Sequence, residues 1–455
     1  MQRVLVYGLA AGLGLAACQN GSFFVCADDS SCVDGSAVGQ CEQNGACSFP
    51  DDGCPSGRSY GSNGDPALAG SCVEVDGGTT GDIETTTTDT PPVGTTSTTT
   101  DVGETTDGPG DDTAGAACPP DWWDCAWLRR QRLSIDVPSG VSETDVPVLV
   151  LLTDGRVQQD QIQADAEDLR FVQADGTLAP YEIEHVDPEG VSRIWVRVDE
   201  VSASADHLWL YYGNVAAAGV TDSTAVWGDP YVGVWHLEAD PAVDATAYGH
   251  DAVSSGNVAV APGQIGNGID ILSSTSRLDV VATEALADIF ANGATVSAWI
   301  RPRTHGGSGF GRIVQKGSDT LGWRLYIGET GRLRFSLEAT DEIWTTADDA
   351  FALHQWVHVA VTADFGANLG PTLYVDGVEV ELESAGTIAP DLPTDLDAPL
   401  AIGNRTAGGR QFAGIIDELH LQTQLRGPQW LALQNASMRD ALLTFGDVEA
   451  IGEMP

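Results

Sequence analysis

The chain has 455 residues, 21 of them basic against 66 acidic, giving a formal charge of −45 with Lys316 as its one lysine. Such a surface repels phosphate backbones and excludes a nucleic-acid partner. It also repels anionic headgroups, so membrane attachment has to come from something other than a basic patch.

Arg3 precedes an apolar run from Val4 to Ala17 that ends Leu15-Ala16-Ala17-Cys18. The run is shorter than the roughly 20 residues a spanning helix needs. It has the proportions of a secretory signal, here 1–17: a basic start, an apolar core and small residues before the cut. Leu-Ala-Ala-Cys resembles the lipobox of bacterial lipoproteins. The resemblance implies acylation of Cys18, palmitate included. With Gln19 rather than Asp next, it also implies a lipid-anchored place at the outer membrane or cell surface of a Gram-negative bacterium. Once Cys18 is lipidated, eight cysteines remain: Cys26, Cys32, Cys41, Cys47, Cys54, Cys72, Cys118 and Cys125. Six fall in one short segment and two form a close pair, which in an oxidising compartment reads as three disulfides plus one, with the pairing of the six left open. The wide gaps, and the lack of His before His185, speak against zinc in this segment.

Residues 18–78 are rich in Gly, Asp and Ser and cannot bury much of a core, so they read as a disulfide-held module. From 79 to 117 the chain is dominated by Thr and acids, with 15 Thr between Thr79 and Thr113. This is a disordered or extended linker whose like charges push it open. Residues 118–228 begin with the aromatic cluster Trp122, Trp123 and Trp127 and continue in short runs: Gln131–Val137, Val146–Leu152, Leu169–Val172, Tyr181–Val186, Arg193–Val201 and Leu208–Tyr212. Arg193-Ile194-Trp195-Val196-Arg197-Val198 alternates with period two, as a half-buried strand does. Short β-runs without a long helical period indicate a β-sandwich or barrel. The motifs Trp127-Leu128-Arg129-Arg130, Asp145–Val150, Leu169–Val172 and Leu210–Asn214 resemble the bacterial domain of unknown function 2341, which carries no known activity and commonly precedes a lectin-like domain.

Residues 229–445 again show short β-runs, with hairpin turns at Gly328-Glu329-Thr330-Gly331 and Val375-Asp376-Gly377-Val378. Val296–Ile300, Trp356–Val361, Leu373–Gly377 and Phe412–Leu419 resemble, in order and spacing, the concanavalin A-like, laminin G-type jelly roll. Thr283 is a candidate N-cap for a short helix to Ala291, a second helix is expected between Arg426 and Leu443, and 446–455 reads as a tail. The fold class is therefore all-β: a disulfide-rich N-terminal module, a linker, a β-sandwich and a concanavalin A-like sandwich.

Few residues invite chemistry. Gly57-Arg58-Ser59-Tyr60-Gly61 has the spacing of a nucleophile elbow but lacks the strand-to-helix context that makes one. Glu379, Glu381 and Glu383 sit at alternate positions and, on one strand, would share a face. That pattern supports a glycoside hydrolase only if two carboxyl groups lie about 5–5.5 Å apart with one pKa raised by burial. The ordinary reading is the wet face of an outer strand, and no catalytic residue is assigned. Asp417 falls in the Ile-Asp-Glu motif, and Asp244 lies just after the first strand of the jelly roll. The resemblance implies that a structural calcium would bridge the two, a carboxylate-plus-carbonyl set being what calcium takes. No organic cofactor is indicated. His236 and His420 read as core or interface residues. Of the tryptophans, Trp195, Trp209, Trp299 and Trp356 sit in β-runs and should pack inward, whereas Trp323 and Trp344 lie nearer loops and are the candidates for an exposed sugar platform.

The layout suggests a surface-anchored lipoprotein whose lectin-like module binds carbohydrate or a surface protein without catalysis. The alternatives are a polysaccharide-degrading glycoside hydrolase of the same fold and a structural envelope protein.

Overall fold

The computed structural model describes residues 118–451 apart from 390–391, together with parts of 32–60. The expected signal segment, Cys18, Cys26, Cys72 and the Thr-rich linker lie outside the described residues, and Cys41 is described in its backbone alone. The chain divides into two units, Met1–Gly108 and Pro109–Pro455.

In the first unit, Val33–Asp34 pairs with Ala37–Val38, and Gln40–Cys41, Cys47–Pro50 and Arg58–Tyr60 form a small antiparallel sheet. Cys32 and Cys47 are joined by a disulfide, and Cys54 is also disulfide-bonded. Ser59 sits inside a strand opposite Phe49, so it has none of the strained turn a nucleophile needs.

The second unit holds two sandwiches. In the upstream one, a sheet in the order Tyr181–His185, Ser192–Ser202, Ser142–Leu152 faces a five-stranded sheet in the order Leu443–Ala450, Arg129–Ile135, His207–Tyr212, Arg170–Gln173, Leu178–Ala179. Alternate residues of these strands (Val146, Val148 and Val150; Ile194, Val196 and Val198; Leu208 and Leu210) fill the space between them. Cys118 and Cys125 are bridged beside Trp122 and Trp127, which pack on Tyr211. The sequence reading ended the second domain at 445 and left 446–455 as a tail. Instead Leu443–Ala450 is an edge strand of the upstream sandwich, paired with Arg129–Ile135.

The downstream sandwich is a jelly roll of two eight-stranded sheets. One runs Val258–Pro262, Asn267–Ile271, Gly414–Gln422, Ala294–Pro302, Val357–Asp364, Leu369–Val375, Val378–Val380, with Tyr231–Trp235 also on Gly414–Gln422. The other runs Val253–Ser255, Arg277–Val280, Leu400–Ile402, Phe310–Gly317, Gly322–Gly328, Arg332–Leu337, Glu342–Thr346, Leu382–Ser384. Both anticipated hairpin turns use left-handed backbone: Thr330 and Gly331 at φ 61° and 71°, Asp376 and Gly377 at φ 51° and 76°.

Helices are few. The expected helix from Thr283 to Ala291 is broken into 3-10 turns at Glu284–Leu286 and Ile289–Asn292 by Asp288, at φ 49°. The Thr283 hydroxyl bonds His250 Nε2 at 2.7 Å instead of capping a helix. The second expected helix forms over Pro428–Met438, opened by Pro428 in its first turn. It lies between the two sandwiches. Trp430, Leu431 and Leu433 enter the upstream core, joined there by Ala360 and Tyr374 of the jelly roll. Ser437 Oγ accepts from the Leu149 amide at 2.8 Å. The two sandwiches thus share apolar packing through this helix, and among the described residues no helix is long and apolar enough to cross a membrane.

Candidate functional site

Two places in the second unit carry chemistry. The first is a cleft in the jelly roll with a volume of about 280 Å³. Its walls are Phe290, Trp323, Leu337, Phe365 and Leu392, with Asp288 and Asp395 at its polar side. The break at Asp288 places Phe290 edge-on to Trp323, ring centroids 5.2 Å apart. Trp323 and Trp344 are not exposed platforms as the sequence suggested; they are 3% and 2% accessible. The hairpin strands that carry them curl into the core, and Trp323 meets the cleft from inside. Its indole Nε1 has no hydrogen-bond partner. Asp288 and Asp395 clamp their two loops together: Asp395 Oδ1 accepts from the Asp288 amide at 2.9 Å, and Asp288 Oδ1 from the Asp395 amide at 3.0 Å. Burial raises the Asp395 carboxyl and lowers the Lys316 ammonium, which stands 3.4 Å away and donates to the carbonyls of Asp395 and Ala398. Both carboxylates are thus held by backbone amides at one side of the aromatic walls.

The Glu379–Glu383 run does not form one face. Val378–Val380 pairs with Leu369–Val375 in one sheet, and Leu382–Ser384 pairs with Glu342–Thr346 in the other. The chain crosses between sheets at Glu381, which separates the acids, and all three are exposed. Glu383 is taken by an ion pair with Arg332.

The second place is a buried polar seam between the sandwiches. In the strand Gly414–Gln422, Asp417 pairs opposite Trp299 and His420 opposite Ser297, so Glu418 and Leu419 share the single position of Ala298. Glu418 takes φ 47° at this bulge. The extra residue resets the alternation. Ile416, Leu419 and Leu421 enter the jelly-roll core, whereas Asp417, Glu418 and His420 do not. From the upstream sandwich, Glu182 and Glu184 arrive on one strand and Arg193 and Trp195 on its neighbour. His236 Nδ1 lies 2.9 Å from Glu418 Oε2 and its Nε2 lies 3.2 Å from Glu182. His420 Nε2 is 2.9 Å from the same Glu418 oxygen, and its Nδ1 is 3.1 Å from the Gln434 amide. Trp195 Nε1 donates to Glu184 at 2.7 Å, Trp227 Nε1 donates to Glu182, and Arg193 pairs with Glu184 at 2.7 Å and Glu238 at 3.1 Å. Burial opposes a charge on His236, but Glu418 and Glu182 outweigh it and hold the imidazole well above its ordinary range. Burial lifts Glu184 to about 7.

The residues expected to bridge a calcium are engaged otherwise. Asp244 accepts from the amides of Val234, Thr246 and His250 and from the Thr246 hydroxyl, at 2.7–3.1 Å. Asp417 Oδ2 accepts from the amides of Gln264 and Ile265 at 2.8 and 2.9 Å. Both Asp244 oxygens and Asp417 Oδ2 each accept two bonds, which leaves Asp417 Oδ1 alone uncommitted, so this donor set does not fit a calcium bridge. Each acid instead ties a loop to the strand beside it. Glu182, Glu184 and Trp227 were not singled out in sequence. The one signal was the pairing of two acids on the face of a strand whose neighbour carries Trp195.

Residues 275–432 match the family model of the concanavalin A-like lectin/glucanases superfamily, in its laminin G form, and residues 165–236 match domain of unknown function 2341. No curated protein is detectably similar to the chain. Similar solved structures include the binding domain of Paraclostridial mosquitocidal protein 1, with 16% identity over 46% of this chain and 52% of that one at TM-score 0.36. Domain 4 of AbnA, a GH43 extracellular arabinanase from Geobacillus stearothermophilus in complex with arabinotriose, has 22% identity over 44% of this chain and 96% of that one at TM-score 0.33. The ligand-binding domain of botulinum neurotoxin serotype D in complex with N-acetylneuraminic acid has 17% identity over 47% and 52% at TM-score 0.35. The chain spans about half the length of the two toxin domains.

Proposed function

We propose that this protein is a non-catalytic recognition protein whose jelly roll binds carbohydrate in the cleft of Phe290, Trp323 and Phe365. It is held at an outer-membrane surface by an acylated Cys18. The observation that carries the reading is the cleft itself. It brings aromatic side chains and two carboxylates to one concavity, the mixture that fixes a sugar by apolar contact and a few hydrogen bonds. The placing of Glu379 and Glu383 on different sheets, with Glu381 at the crossing between them, favours binding over hydrolysis, because a hydrolytic pair must straddle one bond.

A glycan array followed by calorimetry on the full chain tests this. Filling the cleft with Ala389→Trp should weaken binding of the retained glycan at least tenfold, about 1.4 kcal/mol, with the melting temperature held. Replacing Glu379, Glu381 and Glu383 together by Gln should leave binding unchanged. No retained glycan, or binding indifferent to Ala389→Trp, would remove the cleft from the reading. Release of reducing ends from a polysaccharide would overturn its non-catalytic part.

A further inference from the structure

We infer that His236, Glu418 and His420 form a site for a divalent transition ion of the zinc type, with Glu184 as fourth ligand. The ligand atoms of His236, Glu418 and His420 lie within 4.8 Å of one another, and all three side chains are buried. Glu184 Oε2 stands 3.9 Å from His236 Nδ1. Two imidazole nitrogens with carboxylate oxygens are the donors zinc and its neighbours take, and a set calcium leaves alone. Bonds of about 2.0–2.2 Å place tetrahedral ligand atoms roughly 3.3 Å apart. The nitrogen-to-oxygen spacings of 2.9 Å around Glu418 therefore need to open by only a few tenths of an ångström.

Three further observations point to a cation. Each histidine has an outer partner on its far nitrogen: Glu182 for His236 Nε2 and the Gln434 amide for His420 Nδ1. Metal-bound histidines are oriented by such partners. Gln434 Oε1 has no bond of its own, and turning the amide lets it accept from His420 Nδ1–H. The charge is also unequal: Glu182, Glu184, Asp417 and Glu418 converge on the seam against the Arg193 guanidinium, which is shared with Glu238, and the His236 imidazole. Buried carboxylates are costly unless paired, and an ion of charge +2 in place of the His236 proton adds one positive charge among them. Finally, Asp417 Oδ1 is buried without a partner beside Glu418. On binding, the ion takes the Nδ1 lone pair of His236, whose proton leaves to solvent, and the Nε2 lone pair of His420, whose one proton moves to Nδ1 beside Gln434.

Because Glu184 belongs to the upstream sandwich and the other ligands to the jelly roll, the ion would staple the two. The test is metal analysis and melting of the full chain. Loading with ZnCl2 should give about one equivalent, and stripping it with a chelator should lower the melting temperature by about 5 °C or more, restored by one equivalent. Co2+ in its place should show the visible bands of a tetrahedral site, lost in His420→Gln and in Glu418→Gln. X-ray absorption at the zinc edge of the wild-type chain should report two imidazole ligands, a readout that stands even if neither variant folds. Failure of the metal-free chain to take up zinc, identical melting with and without it, an all-oxygen shell, or a Co2+ spectrum that survives His420→Gln would each overturn the site.

Discussion

A chain ended after Leu442 should lose the upstream sandwich as a stable unit. The missing strand Leu443–Ala450 covers Arg129–Ile135 along six paired positions from Leu443↔Ile135 to Ala450↔Arg129. Arg130, 4% accessible, pairs with Glu449 at 2.7 Å while its other nitrogens hold Asp121. Glu449 is 36% accessible and Arg130 keeps Asp121, so the lost pair is worth about 1 kcal/mol. Gln131 Nε2 loses its bond to the Gly446 carbonyl, and each ladder hydrogen bond adds about 1 kcal/mol. With the packing of Leu443, Phe445 and Val448 on the core, the sum approaches the stability of an ordinary domain. Calorimetry should show either a melting temperature lower by 10 °C or more or no cooperative transition at all, in line with how such losses scale. Aggregation is expected besides, because Arg129–Ile135 becomes an open edge. Unchanged melting of the shortened chain would show that the strand is ornamental.

Trp430→Ala should give the largest loss of any single side chain. The ring is fully buried in the junction helix, packed within the upstream core beneath the Arg426 guanidinium, 4.5 Å away. Replacing a buried Trp by Ala costs about 3–5 kcal/mol when the surroundings cannot collapse into the space. Collapse is hindered here because both sandwiches border the helix. Arg426 would also lose its ring while keeping Gln422, 2.8 Å away. Denaturant unfolding should show a lower midpoint with an unchanged slope. Val378→Ala, at a residue 66% accessible, should stay within about 0.5 kcal/mol of wild type. Equal effects from the two substitutions would contradict the packing described.

The sequence made some of this visible for physical reasons. The turn at Asp376-Gly377 is legible because few residues tolerate φ > 0, and the chain marks such places. The alternation from Arg193 to Val198 announces a strand, and Trp195 packs inward as its place in that run implies. What the alternation hides is where it packs: Trp195 lies on the face opposite Ile194 and Val196, against Trp227 and His236. Glu379 to Glu383 misled for the opposite reason: perfect alternation implied one strand, while the chain changes sheets at its middle. Glu418 was hidden by the bulge, since strict period two from Ile416 sends it inward with the core. The last strand was beyond reach. Leu443–Ala450 has a weak pattern of its own, and its partner lies more than 300 positions away, a pairing no local signal encodes.

That distant pairing sets a schedule. The upstream sheet cannot close until the ribosome has reached Ala450, more than 300 residues after the strand Arg129–Ile135 that it pairs with. The jelly roll, bounded on both sides by the halves of its neighbour, has all its strands earlier and is free to fold first. Until then Arg129–Ile135 waits unprotected through the synthesis of the intervening chain, an interval in which nascent chains with open β-edges are prone to misassociate.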